Sequence, residues 1–215
     1  MNFNNLLNQV LNTVQKGSSS LGKSNGSLLG KIGSGAAVTG LASMLLKKKT
    51  SKKLLSAGSM TALGMLAYHA YQNWQRNNNN AATNQQAQPI LNQASFEPTG
   101  QAAEDAGRVI LRTMIAAAAA DGVIEDEERQ MIQAESGNDP ETAKWVADEI
   151  SKPATAADIA RDIGNNPALA AEAYLAARMV CGDLARKEIV FLSQLSQALN
   201  LDEKLVEALE QQAGF

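Results

Sequence analysis

Apolar positions along this chain follow different patterns in its two halves. At the start, Phe3, Leu6, Leu7, Val10, Leu11 and Val14 recur at steps of three and four, with Asn and Gln filling the gaps. That spacing predicts an amphipathic helix over 1–16. Such a helix lies on a membrane surface or packs on another helix. Its polar face carries amides rather than lysines and leaves both readings open. Further on, Ile32–Leu46 and Leu54–Tyr71 are uncharged throughout. A bilayer core takes about 20 apolar helical residues to cross. The second run approaches that length, and Tyr68, Tyr71 and Trp74 gather at its far end as an interfacial aromatic belt would. The expectation is a Gly-rich, basic, hydrophobic membrane anchor over 17–76. Its best span is 54–74, with Leu54, Leu55, Leu63, Leu66, Tyr68, Tyr71 and Trp74 toward lipid and Lys47, Lys48, Lys49, Lys52 and Lys53 as its basic flank. A single span and a hairpin both fit, and a soluble helical hairpin is the competing reading.

The stretch 77–100 opens with Asn77–Asn80 and continues in Gln, Ala and Asn. It is too polar to bury a core and reads as a disordered linker. From Gln101 the helical period returns. Val109, Ile110, Thr113, Met114 and Ala117 form one stripe, ending at Asp121-Gly122, where glycine suits a left-handed helix stop. A second helix is expected over about 126–135. Asp139-Pro140, Thr155-x-x-Asp158, Asn166-Pro167 and Asp202 are start signals for later helices. About seven helices fit into 101–215, and no strand pattern appears. The fold class expected is all-α: a helical bundle preceded by a helical membrane-associated segment and a linker.

Charge sharpens this division. Residues 1–96 hold nine Lys or Arg and no acid, whereas all 22 Asp and Glu lie in 97–215. A basic half beside an acidic half points to an anionic surface as partner of the first. The single cysteine, Cys181, excludes an intrachain disulfide. His69 is the only histidine, so no Cys/His or Ser/His pair can form in the C-terminal half. No phosphate loop, zinc signature or nucleophile elbow occurs. The lysine cluster would attract phosphates, but it lacks stacking aromatics and arginines, and no nucleic acid is expected as partner. The sequence reads as that of a protein without catalytic activity.

The most informative element is Ala117-Ala118-Ala119-Ala120-Asp121-Gly122-Val123-Ile124-Glu125-Asp126-Glu127-Glu128-Arg129. Its Asp-Gly-x-Ile-x-x-x-Glu core matches the second half of an EF-hand loop. Loop positions one and three would be Ala117 and Ala119, which offer no side-chain oxygen, so an EF-hand is rejected. Two readings of the acids stand side by side. Carboxylates in a first helical turn are favoured by the helix dipole, and Asp121, Glu125 and Glu128 together would form a weak oxygen-ligated Ca²⁺ or Mg²⁺ site. A fainter copy follows at Gly182–Glu188, where Leu184 precedes Glu188 as Ile124 precedes Glu128, and Cys181 stands where Asp121 would align.

This element, its divergent copy and the ending Leu195-x-x-x-Leu199-Asn-Leu201 resemble the tellurite-resistance B-like (TerB-like) all-helical domain. The layout of the whole chain resembles the YebE-like inner-membrane protein family. The resemblance implies a bacterial inner-membrane location, a role in metal or stress responses, divalent-cation binding by the acidic turn and contacts with an unidentified protein partner. The acids of the second copy are largely missing here, so a site needing both copies is incomplete. The functional expectation is a membrane-anchored, non-catalytic interaction or sensing protein. The alternative is a soluble helical adaptor, or a nucleic-acid-associated protein using the lysine cluster.

Overall fold

The computed structural model describes residues 1–20, 41–42, 58–79, 91–120, 140–181 and 184–215, with side chains at 15–20 and 78–79 left undescribed. The described elements are α1 (Phe3–Ser20), α2 (Met60–Asn79), a 3₁₀ turn (Gln93–Phe96), α3 (Gln101–Ala119), α4 (Pro140–Ser151), α5 (Ala156–Ile163), α6 (Pro167–Val180), α7 (Arg186–Ala198) and α8 (Glu203–Ala213). No strand occurs among the described residues, so the all-α expectation holds. The second helix expected over 126–135 lies outside them.

The axis of the fold is α6. Every residue from Ala168 to Val180 is buried, because α2, α3, α5, α7, α8 and the 3₁₀ turn all pack against it. Alanines at 168, 170, 171, 173, 176 and 177 make this possible. They let neighbouring helices approach closely and favour helix intrinsically. Asn166 starts α6 by accepting from Leu169 N at 3.1 Å, with Pro167 as its first helical residue. Thr155 and Asp158 form a reciprocal capping box at the start of α5. Asp202 opens α8 by accepting from Lys204 N at 2.9 Å.

Of the two readings of the first helix, the structure follows the second. Helix α1 packs on α3 and touches α2, burying Leu6, Leu7, Val10, Leu11 and Val14. Gly107 permits the approach to α3, since a Cβ there would sit 2.9 Å from Asn4 N. The amide face also takes part: Asn8 Oδ1 accepts from Met60 N at 2.7 Å, satisfying an open donor at the start of α2. Phe3 meets the half-buried Trp145 of α4 edge-on, with ring centroids 4.9 Å apart.

The largest departure from expectation is α2. Leu63 and Tyr71 are 1% exposed and Trp74 4% exposed, in the same core as Tyr174. Leu66 and Tyr68 are half-buried against it. Trp74 Nε1 donates to Asp202 Oδ1 at 2.9 Å, so one carboxylate both caps α8 and holds α2. Leu63, Tyr71 and Trp74 therefore belong to a core that extends across the boundary drawn at residue 76. No helix among the described residues is long and apolar enough to cross a membrane. An uncharged helix with small residues and a terminal aromatic cluster suits a bundle interior as well as a bilayer. Leu54 and Leu55, together with Lys47, Lys48, Lys49, Lys52 and Lys53, lie outside the described residues. Within the stretch 77–100 read as a linker, α2 runs to Asn79, Phe96 of the 3₁₀ turn is buried against Tyr68 and Tyr71, and residues 80–90 lie outside the described residues.

Candidate functional site

Asp121, Glu125 and Glu128 lie outside the described residues. What can be placed is their threshold. Helix α3 ends at Ala119, and Ala120 lines a shallow groove of about 360 Å³ with Arg186, Lys187, Val190, Phe191 and Gln194 of α7. This side of α7 is unusually apolar for a surface. Ile189 and Val190 are each 50% exposed, and Leu184 just before the helix is 42% exposed. Glu188, Leu192 and Leu195 of α7 are buried, and the half-buried Phe191 packs against the core. Glu188 is buried because it accepts from Ala185 N at 2.9 Å, closing the turn at the start of the helix. Among the described residues no three His, Cys, Asp or Glu side chains come together as metal ligands.

The interior holds polar groups that sequence reasoning missed. At the end of α6, Arg178 is 4% exposed. Its Nη1 donates to Cys181 O at 2.7 Å, its Nε lies 3.3 Å from Glu210 Oε1, and the Phe215 ring covers the guanidinium at 3.5 Å. Tyr174 Oη donates to the same Glu210 oxygen at 2.9 Å. Burial, then the neighbouring Glu210 carboxylate, push the Tyr174 phenol well above its ordinary range. The network ties α8 and the last residue to α6, and all its charges are matched. Cys181 is fully buried, as its small apolar character suggested. A second network lies at the surface, where Arg112 of α3 donates to Glu149 Oε2 at 3.0 Å and also pairs with Asp162. Burial pulls this guanidinium down, but the two carboxylates outweigh it and raise its pKa.

Glu172 is different. It lies in the middle of α6, 2% exposed, and its Oε1 has no hydrogen-bond partner. Burial alone raises its carboxyl to about 8. It faces α2 where Gly64 and the 3₁₀ turn meet: a Cβ on Gly64 would sit 3.1 Å from Glu172 Oε1 and 2.2 Å from Phe96 O. Nothing in the sequence marked it, because one acid inside an alanine-rich run reads as the solvent face of a helix.

Fold and chemistry together define an all-helical protein built round a central alanine-rich helix, with its first helices inside the same core as its last. The chain belongs to the DUF533 family, described as a protein of unknown function, whose pattern it matches over residues 31–213. That match spans α2 and the C-terminal bundle together, as the shared core does. Comparison with curated proteins and with solved structures returns no match.

Proposed function

We propose that this protein is a non-catalytic interaction module held at the surface of the bacterial inner membrane by electrostatic attraction. The observation that carries the reading is the position of the lysines relative to the packed helices. Residues 21–57 carry seven lysines and no acid, and in sequence this stretch separates two helices, α1 and α2, that both pack with helices from the half of the chain in which all the acids occur. With α2 occupied in the core, lipid attachment falls to the lysine-rich stretch. A basic residue near an anionic leaflet contributes about 1 kcal/mol, so Lys47, Lys48, Lys49, Lys52 and Lys53 acting together would supply roughly 5 kcal/mol. The partner-binding face in this reading is the exposed apolar side of α7 next to Ala120. The stress-related role and the TerB-like kinship belong to the same proposal and rest on the Asp121–Arg129 motif.

Vesicle sedimentation tests the lipid contact. The full chain should pellet with phosphatidylglycerol-containing vesicles and not with phosphatidylcholine vesicles. Binding should weaken steeply with salt and disappear when the five lysines are changed to Gln. Binding that survives both high salt and the five substitutions would defeat an electrostatic attachment and restore an inserted anchor. The divalent-cation reading of Asp121, Glu125 and Glu128 rests on the motif alone. A melting curve that millimolar Ca²⁺ or Mg²⁺ leaves unmoved would remove it.

A further inference from the structure

We propose that Glu172 is a proton-operated latch: its neutral carboxylic acid lets α2 and the 3₁₀ turn seat on α6, and loss of that proton releases them. The geometry is a three-way junction with no room to spare. Gly64 of α2, Phe96 O of the 3₁₀ turn and Glu172 Oε1 of α6 converge on one point, so closely that a methyl group at Gly64 has no place. A carboxylate created there would have its Oε1 buried with no donor among the described residues, and an unpaired charge in that position is strongly unfavourable.

Among the described residues, none of the neighbouring groups provides a counter-charge. On α6 itself, Arg178 is engaged by Glu210, Cys181 O and Phe215. On α2, Tyr68 accepts from Gln72, Tyr71 bonds Gln75, Arg76 donates to Gln72 and His69 is exposed. Beside the turn, Glu97 accepts from Gln93. On α3, Arg112 is shared between Glu149 and Asp162, the latter on α5, where Arg161 pairs with Asp158. Glu188 of α7 accepts from Ala185 N, and Glu210 of α8 accepts from Tyr174. Burial is accordingly the one cause that raises the Glu172 carboxyl. The side that yields is α2, because α6 is clasped by α3, α5, α7 and α8 as well. Helix α2 also packs on α8, the 3₁₀ turn and α1, but its described hydrogen bonds to neighbouring helices lie toward its two ends, Asn8 at Met60 and Asp202 at Trp74.

Hydrogen exchange of the full chain between pH 6 and 8, corrected for intrinsic rates, tests the latch. The expected result is that opening of the amides in 60–79 rises by up to tenfold per pH unit, while those of α3 stay protected. In Glu172→Gln the opening of α2 should not change with pH. If Glu172→Gln does not fold, Glu172→Met provides the non-titrating control, and the wild-type carboxyl can be followed directly by carbon-13 NMR. Titration of Glu172 in the ordinary carboxylate range would overturn the proposal. So would α2 and α3 opening in parallel, since that marks global unfolding, or a pH profile unchanged by the substitution.

Discussion

Placing α2 inside the core makes Gly64→Ala a decisive substitution, because the two environments proposed for this helix predict opposite signs. In an exposed or lipid-facing helix interior, exchanging glycine for alanine stabilises by about 0.5–1 kcal/mol, through lost chain entropy in the unfolded state. In this structure the new Cβ would lie 2.2 Å from Phe96 O, a backbone atom, and 3.1 Å from Glu172 Oε1. No rotamer change relieves a clash with a carbonyl oxygen, so the 3₁₀ turn or α2 itself must move. Overpacking of this kind typically costs 1–3 kcal/mol, which outweighs the propensity gain. The net expectation is a loss of about 1–2 kcal/mol, or roughly 2–8 °C in Tm for a chain of this size. Thermal unfolding followed by circular dichroism at 222 nm measures it, and a urea series checks that the slope is unchanged. A variant as stable as wild type, or more stable, would refute the burial of α2 against the turn.

Two further substitutions test separate parts of the fold. Glu172→Gln should flatten the dependence of stability on pH. The folded carboxyl stands at about 8 against an ordinary value near 4.3, so the unfolded chain gives up this proton first as pH rises. Its contribution is complete below the ordinary value and is lost as pH climbs to about 8, by up to roughly 1.4 kcal/mol per unit. Urea midpoints at pH 5 and 8 should therefore converge in the variant, and an unchanged gap would exclude Glu172 as the source. Asn166→Ala removes the cap of α6, against which α2, α3, α5, α7 and α8 pack, and should lower stability by about 1 kcal/mol without altering the urea slope.

Much of the C-terminal bundle was legible in the sequence because its signals are local. Thr155 and Asp158, Asn166 and Pro167, and Asp202 each act within a few residues of themselves, and the structure finds each at the helix start it announced. The stripe from Val109 to Ala117 is buried for an equally local reason, its 3.6-residue period. What escaped was pairing over long separations. Trp74 meets Asp202, Asn8 meets Met60, and Gly64 meets both Phe96 and Glu172. None of these pairs has a spacing rule, and two of them, Trp74 with Asp202 and Gly64 with Glu172, link the basic half of the chain to the acidic one. The candidate cation-binding residues were legible only as a motif, and their spatial relation to one another lies beyond the described residues.

The same long-range pairs explain why the charge asymmetry misled the division into an anchor and a separate bundle. Net charge reports the environment of a surface and says nothing about which segments share an interior. Helices α1 and α2 carry almost no charge of their own. Lys16 and Arg76 are their only basic residues, and no acid is present in either. Their apolar faces therefore join an acidic bundle without electrostatic cost, while the lysines stay concentrated in the stretch between them. The contrast in this chain is one of charge: α1, α2 and, between them, Leu41 and Ala42 share the core with the acidic bundle, while seven lysines are concentrated in the sequence from 21 to 57.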